Sequence, residues 1–205
     1  DPPFRGAWCR RGDGVDMGER GRQAGGHIGA AALRVLETAT GLSCDPGQLH
    51  QVQTIGRAGG DPRGRIVSVA SLARIRPDLA LVVEIRPDAD WFSVAEEVPW
   101  MRLAVDHAEI LAAAVHRLQT QAADPLSLMA MVTRTFTVTE LQAVETAVLD
   151  KSTDARTFRR RFDRWVADGL IRSAPGKRHL GPARPARVWR ANCPIPGHPP
   201  PQTSG

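Results

Sequence analysis

The sequence FTVTEL at 136–141, followed further along by FRRRFDRW at 158–165, holds the start of one predicted helix and the body of a second. Thr137 is followed three residues later by Glu140, and this spacing is the signature of a capping box at a helix N-terminus. The apolar residues that follow at helical spacing are Leu141, Val144 and Val148. A helix is therefore predicted to begin just after Thr137.

The second helix is predicted to begin at Ser152 or Thr153, because either hydroxyl can cap it. When its residues are stepped at about 100° each, apolar side chains gather on one side and arginines on the other. The apolar side holds Ala155, Phe158, Phe162, Trp165 and Val166, and the opposite side holds Arg156, Arg160 and Arg164. Gly169 suits the position just past the end of this helix.

Two short strands are predicted after this helix, at 170–172 and 188–190, on either side of a basic loop. Two helices and a two-stranded flap form the outline of a winged helix-turn-helix, whose second helix lies in the major groove of DNA. The alternative is a solvated arginine face on an ordinary surface helix. Residues 126–192 are thus predicted to bind double-stranded DNA, and residues 193–205 to form a disordered Pro-rich tail.

Several polar residues of this module are predicted to contact DNA. Arg156 and Arg160 are predicted to approach DNA, and their neighbours on the helix to contact phosphate or base edges. The flap residues are predicted to meet phosphate or the minor groove. The full predicted set is Thr153, Arg156, Thr157, Arg159, Arg160, Lys177 and Arg178.

The charge of the chain supports a polyanionic partner for this half. Residues from 125 onward contain 13 Lys and Arg against 6 Asp and Glu, whereas residues 1–124 contain 14 against 16. The net charge is +7 from residue 125 onward and −2 over residues 1–124, so the basic half is expected to bind nucleic acid. No apolar run approaches the roughly 20 residues needed to cross a bilayer, so we expect no membrane partner.

The 3 cysteines and 6 histidines show no spacing typical of metal ligands. Cys9, Cys44 and Cys193 are far apart and odd in number, which indicates a reducing compartment rather than a disulfide framework. We therefore expect a cytoplasmic protein without a metal or other cofactor.

The front half predicts a mixed arrangement of helices and strands. Helices are expected at 30–42 and 106–121, strands at 51–56, 65–76 and 79–85, and a joint at 122–125. Residues 1–30 are rich in Gly and Arg and show little periodicity. The chain is therefore expected to be α+β, with a front domain at 1–122.

Part of this front half resembles a Nudix box, whose pattern is Gly-x5-Glu-x7-Arg-Glu-U-x-Glu-Glu-x-Gly-U, where U is aliphatic. The matching segments are Trp8, GDGVDMGE at 12–19 and AALRVLETATGL at 31–42; Arg34, Leu36, Gly41 and Leu42 match the second half of the pattern. However, Val35, Thr38 and Ala39 stand where the family places glutamates. In addition, 14 residues separate Glu19 from Arg34, where the pattern has seven.

These departures decide the expected chemistry. Nudix hydrolysis uses Mg²⁺ held by helix carboxylates, and Thr38 and Ala39 cannot supply those oxygen ligands. We therefore expect a Nudix-like domain without hydrolase activity. Two alternatives are an active nucleotide pyrophosphatase that depends on Glu19, and a remnant that no longer senses a ligand.

Five further segments raise the resemblance from a motif to a family. They are GDPRGRIVSV at 60–69, DWF at 90–92, DHAEIL at 106–111, FTVTELQ at 136–142 and FRR at 158–160. In this order they resemble the Nudix-related transcriptional regulator (NrtR) family over residues 4–190. The chain departs from that family at Gly60, where arginine is usual, and at Thr157, where asparagine is usual.

The resemblance implies an N-terminal Nudix-like α/β/α sandwich followed by a winged helix-turn-helix. It implies a homodimeric bacterial repressor of NAD-metabolism genes, whose sensor domain binds ADP-ribose or a related nucleotide and thereby alters operator affinity. The first strands of a Nudix sheet should precede Trp8, and the sequence offers none there. We therefore expect either a clipped chain or a partner that covers the exposed sheet edge.

Three residues of the front half are candidates for the nucleotide site. Arg63 and Arg65 are predicted to grip a diphosphate, because guanidinium groups match paired phosphate oxygens. The alternative is that Arg63 only shapes a turn after Pro62. His107 is a third candidate, although a histidine at a helix start can equally be structural.

Overall fold

The computed structural model describes residues 5–11, 14–16, 27–56, 67–77, 89–94, 103, 107–180 and 185–195. The chain divides into two compact units. The first comprises residues 1–75 and 79–118, and the second comprises residues 76–78 and 119–205. Helices and antiparallel strands occur in both units, so the chain is α+β as predicted.

The first unit contains mixed elements. In chain order they are β1 (Arg5–Arg11), β2 (Gly14–Asp16), α1 (Ile28–Thr40), a 3-10 turn (Pro46–Gln48), β3 (Leu49–Ile55), β4 (Ser68–Ala73) and β5 (Ala89–Ser93), followed by α2 (His107–Gln121). The described strands form an antiparallel sheet in the order β2-β1-β5 and a separate β3-β4 ladder. The strand predicted at 79–85 lies outside the described residues.

Strand β1 corrects the expectation that the sequence offers no strand before Trp8, because this strand begins at Arg5. It pairs with β2 on one side and with β5 on the other, and Trp8 lies opposite Asp90 in the second ladder. The sequence RGAWCRR has no β-branched residue, so its local propensity for a strand is weak. Pairing with a segment some eighty residues away decides the structure here instead.

Helix α1 and the β3-β4 ladder agree with the predicted elements. Gly41 ends α1 in the left-handed conformation at φ 76°, and its N–H donates to Glu37 O. The β3-β4 ladder carries a bulge between Gln51 and Gln53. Next to this bulge, Arg74 Nη2 lies 2.7 Å from His50 Nε2. Burial, with Arg74 and Arg117 nearby, lowers the pKa of His50, so the neutral ring accepts this hydrogen bond.

Beyond α2, the described part of the second unit contains helices and a hairpin. They are α3 (Pro125–Met129), α4 (Val138–Leu149), α5 (Ala155–Ala167), β6 (Ile171–Arg178) and β7 (Ala186–Ala191). Phe136 and Trp189 exchange two backbone hydrogen bonds of 2.9 and 2.8 Å, which adds a third short segment to the β6-β7 hairpin. The predicted helical pair and two-stranded flap are therefore confirmed.

Aromatic side chains form the centre of this unit. Phe158 and Phe162 are fully buried on one side of α5. The Phe162 ring meets Trp189 of β7 edge-on at 5.2 Å, and Phe158 meets Trp165 edge-on at 6.0 Å. Burying a phenylalanine side chain contributes roughly 1.5–3 kcal/mol. The aromatic side of α5 therefore holds this helix against the hairpin.

Several details of the predicted helical pair were wrong. Asp154 caps α5, rather than Ser152 or Thr153. Ala155, which was placed in the apolar stripe, is exposed, because the buried side of α5 is centred on Phe158 and Phe162. The tail predicted to be disordered from Cys193 contains Ile195, which is only 4% exposed and joins the core.

Among the described residues, every helix is too short or too polar to cross a bilayer.

Candidate nucleic-acid interface

The N-terminus of α5 is shaped by Asp154. Its carboxylate Oδ2 accepts a hydrogen bond of 2.8 Å from the Thr157 backbone N–H, which would otherwise lack a partner in the first turn. Hydrogen bonds from the backbone and side chain of Thr157 lower the pKa of Asp154 below its ordinary value. The cap therefore fixes where α5 begins, and with it the direction in which Arg156 and Thr157 project.

The C-terminus of α5 is closed by Gly169. The Gly169 N–H donates to Val166 O at 3.1 Å, and the Leu170 N–H donates to Trp165 O at 2.9 Å. These two bonds form a Schellman motif, which needs the left-handed conformation that Gly169 adopts at φ 74°. Asn192 then joins the helix end to β7, since its Nδ2 donates to Gly169 O at 2.9 Å.

The outer side of α5 presents three exposed arginines, Arg156, Arg160 and Arg164. On a helix they lie within about 40° of Arg160, roughly opposite the buried phenylalanines. Within the described part of the chain, no carboxylate lies at ion-pair distance from these three side chains. Their guanidinium groups are therefore available to an anionic partner.

The arginines that flank this side are engaged inside the unit. Arg159 pairs with Asp163 one turn later at 3.0 Å, with both side chains more than half exposed. Arg161 instead pairs with Glu145 of α4, and its Cζ lies 5.3 Å from the Phe158 ring centroid and 5.5 Å from that of Trp165. Arg161 therefore attaches α5 to α4.

Glu145 is a buried polar residue that sequence reasoning missed. It is 1% exposed, and it shares the buried side of α4 with Leu141 and Val148, whereas Val144 is only half buried. Its position, four residues after Leu141, was the available signal, because residues four apart share a helix face. A second link between the helices runs from Gln142 Nε2 to Thr153 O at 2.8 Å.

The hairpin differs from a regular two-stranded ladder. Its register shifts between Ser173 and Lys177, and Gly176 within this bulge has φ 93°. Lys177 is exposed. Arg178, the next residue, turns inward and forms an ion pair with Glu140, with Nη1 at 2.7 Å from Oε1 and 2.8 Å from Oε2.

A cleft of about 280 Å³ opens beside the start of α4. It is lined by Thr137, Val138, Thr139, Arg159, Ala186, Arg187 and Trp189. Arg187 is exposed and stacks over Trp189 at 5.6 Å. Sequence reasoning did not select Arg187, because the alternation of β7 does not show that its side chain would share a cleft with Arg159.

The second unit thus brings together most of the predicted DNA contacts. Arg156, Thr157, Arg159 and Arg160 lie on α5, with Lys177 and Arg178 at the end of β6. Thr153 is half buried in the turn before α5, where its carbonyl accepts the bond from Gln142.

The predicted residues of the nucleotide site are only partly described. Arg63 and Arg65 lie outside the described residues. His107 is the first residue of α2 and is half buried. Val35, Thr38 and Ala39, which were predicted to stand at the glutamate positions of the Nudix pattern, lie on α1 and are half buried. Over the residues that the structure describes, no group of three or more His, Cys, Asp or Glu could hold a metal ion.

Comparison with known proteins identifies relatives of this chain. A family model, the NrtR DNA-binding winged helix domain, matches residues 129–191. The ADPR responsive transcriptional repressor NtrR of Acinetobacter baylyi is 30% identical over 192 residues, covering 92% of this chain and 71% of that protein.

Solved structures extend the likeness to both units. The crystal structure of Shewanella oneidensis NrtR is 26% identical with a TM-score of 0.71, and it covers 91% of this chain and 86% of that chain. The same protein complexed with a 27mer DNA gives a TM-score of 0.72 with the same identity and coverage. A MutT/nudix family protein from Enterococcus faecalis has a TM-score of 0.68 at 19% identity, covering 92% of this chain and 81% of that chain, which supports the predicted Nudix-like fold.

Proposed function

The chain belongs to the NrtR family, and from that membership we propose that it is a DNA-binding transcriptional repressor whose first unit senses ADP-ribose or a related nucleotide. The related repressor of Acinetobacter baylyi is named for its response to ADPR, and the Shewanella oneidensis protein has been crystallised with DNA. We further propose that the regulated genes serve NAD metabolism and that the protein acts in the cytoplasm.

One observation carries the DNA-binding half of this proposal. Arg156, Arg160 and Arg164 stand exposed on one side of α5, while Phe158 and Phe162 bury the other side. A helix held from behind in this way can enter a major groove without losing its own packing. The proposed contacts are Thr153, Arg156, Thr157, Arg159, Arg160 and Lys177.

Selection of binding sites from a random duplex library by the full chain tests DNA binding directly. On the selected duplex, Arg160→Ala should weaken binding by about 1–3 kcal/mol if a base contact is lost. Arg172→Ala is the matched control, because Arg172 is an exposed arginine opposite Arg190, at the end of the hairpin away from Lys177. Failure to enrich any duplex, or equal losses in both variants, would contradict the assignment.

Two chains would present their α5 helices to two half-sites. On B-DNA these half-sites are about one turn, roughly 34 Å, apart. A nucleotide bound to the first units would alter the separation of the two helices and so alter operator affinity. The coupling energy equals the difference in ligand affinity between the two arrangements.

The first unit is proposed to bind nucleotide without cleaving it. Val35, Thr38 and Ala39 replace the glutamates of the Nudix pattern, so the carboxylates that would hold Mg²⁺ are missing from α1. Arg63, Arg65 and His107 are the proposed nucleotide contacts.

Calorimetric titration of the full chain with ADP-ribose and NAD tests this sensor. Binding that is lost in Arg63→Ala and Arg65→Ala, with no AMP released in the presence of Mg²⁺, is the expected result. Mg²⁺-dependent release of AMP that disappears in Glu19→Gln would instead identify a hydrolase. The absence of any heat would indicate a unit that no longer senses these nucleotides.

A further inference from the structure

We propose that Arg178 is a positioning residue, which holds the hairpin against the start of α4 through Glu140 instead of contacting DNA. This inference rests on the proposed DNA-binding function and refines it. It assigns different roles to two neighbouring basic residues of the hairpin: Lys177 contacts DNA, and Arg178 positions the hairpin.

Both terminal nitrogens of the Arg178 guanidinium are engaged within its own unit. Its Nη1 donates to both carboxylate oxygens of Glu140, at 2.7 and 2.8 Å. Its Nη2 donates to the Thr135 backbone carbonyl at 3.0 Å and to Thr135 Oγ1 at 3.1 Å. The planar fork of arginine spans two acceptor groups in this way, and the ammonium of lysine does not reproduce it.

Glu140 joins this contact to the helix-turn-helix. Its Oε2 also accepts a 2.7 Å hydrogen bond from the Thr137 N–H, while the Glu140 N–H donates to Thr137 Oγ1 at 3.2 Å. One carboxylate therefore completes the capping box of α4 and binds the hairpin. Side chains of Arg178 and Glu140 are 33% and 30% exposed, so water screens the pair only in part.

The alternation of side chains along β6 explains why Lys177 and Arg178 differ. Lys177 lies opposite Arg187 and is exposed, whereas Arg178 lies opposite Ala186 and is half buried. Successive strand residues point to opposite faces. Gly176, at φ 93°, sets the path of the chain immediately before this pair. Lys177 therefore faces solvent and the proposed DNA, and Arg178 faces α4.

The test compares single and double variants on a duplex selected by the full chain. Arg178→Ala and Glu140→Gln should each weaken binding by about tenfold, and the double variant should be no weaker than either single variant, because both remove the same contact. Glutamine keeps a capping-box residue at position 140, so the start of α4 is retained. If Arg178 bound DNA directly, Glu140→Gln would leave affinity unchanged or raise it, and this result would overturn the proposal.

Two further measurements separate positioning from contact. Arg178→Lys keeps the charge but loses the fork, so it should resemble Arg178→Ala; a lysine variant with full affinity would indicate a simple phosphate contact. Loss of one phosphate contact lowers the slope of log affinity against log salt by about 0.9. We expect that change in Lys177→Ala and an unchanged slope in Arg178→Ala; a lowered slope in Arg178→Ala would contradict the proposal.

Amide hydrogen exchange of the full chain without DNA tests whether the Arg178–Glu140 contact holds the hairpin against α4. Arg178→Ala and Glu140→Gln should speed exchange in β6, whereas Lys177→Ala should not. Unchanged exchange would contradict the positioning role of Arg178 even if the chain binds DNA. Faster exchange in these variants, in a protein that selects no duplex, would support the Arg178–Glu140 contact and contradict the proposed DNA binding.

Discussion

Arginines on the outer side of α5 and on its two flanks have different roles. Those on the outer side are available to DNA, whereas those on the flanks pair with carboxylates. Arg156, Arg160 and Arg164 on the outer side are exposed and, among the described residues, have no carboxylate at ion-pair distance, whereas Arg161 on one flank holds the buried carboxylate of Glu145. Exposed arginines add little to stability and remain available to DNA. An arginine on a basic helix can therefore be assigned to DNA binding or to stability only when its acidic partners in the fold are known.

The energetic contrast follows from burial. Removing one member of a buried ion pair leaves the other charge without compensation, which is strongly unfavourable. Removing an exposed arginine leaves only solvated neighbours. Substitution of Arg161 should therefore change folding, while substitutions on the outer side of α5 should change DNA binding.

The largest expected effect is on the buried pair. Arg161→Ala should lower the free energy of unfolding by about 3 kcal/mol, since Glu145 would remain buried without a partner. Urea denaturation followed by circular dichroism measures this change. Arg164→Ala is the matched control on the same helix and should change stability by less than about 0.5 kcal/mol. Similar values for the two variants would remove the distinction between flank and outer side.

The members of this pair should also differ from each other. Glu145→Gln should be milder than Arg161→Ala, because the Arg161 side chain is 39% exposed and can turn toward water, whereas Glu145 is 1% exposed and cannot. A glutamine variant as unstable as the alanine variant would show that the charge of Glu145 matters more than its burial.

A smaller effect is expected at the cap of α5. Asp154→Ala should lower the midpoint of thermal unfolding at neutral pH, because the Thr157 N–H loses its acceptor. The pKa of Asp154 is lowered in the folded chain, so the stability it contributes is present above its ordinary pKa and is lost as pH falls through the lowered value. The difference from the wild type should therefore disappear in acid.

Asp154→Asn provides the matched control for this cap. Asparagine retains a side-chain oxygen and caps helices about as well as aspartate, so its midpoint should stay near the wild type. Its stability should lack the acid-dependent loss that comes from Asp154. A pH profile identical in Asp154→Ala and wild type would show that this carboxylate does not stabilise the helix start.

The smallest expected effect concerns the exposed pair Arg159–Asp163. Asp163→Ala should change the free energy of unfolding by no more than about 0.5 kcal/mol, as is usual for an exposed pair one helical turn apart. The same substitution should strengthen DNA binding slightly, because it removes a negative charge and releases Arg159. Weaker binding would place Asp163 among the residues that orient the interface.

Local signals in the sequence were sufficient for much of the second unit. The Thr137–Glu140 capping box, the Phe158–Phe162 stripe and the helix end at Gly169 each depend on residues close together in the chain, and all three are present. Periodicity also identified the helices α1 and α2, because apolar residues recur at helical spacing along each of them.

Features that depend on distant pairing were not predictable in the same way. Strand β1 was missed because its structure comes from pairing with β5, not from its own residues. The partner of Arg161 was missed because Glu145 lies on the preceding helix, and Arg178 was assigned to DNA because its partner Glu140 lies 38 positions earlier. Charge and exposure can be inferred from spacing, but a long-range ion pair requires the fold.

The double variant Arg156→Ala with Arg160→Ala tests the central claim most directly. Its affinity for a duplex selected by the wild-type chain should fall by more than either single variant, and its salt dependence should become shallower. Its free energy of unfolding should match the wild type. Undiminished affinity in this folded variant, or a loss of affinity that merely follows a loss of stability, would contradict the assignment of α5 as the helix that enters DNA.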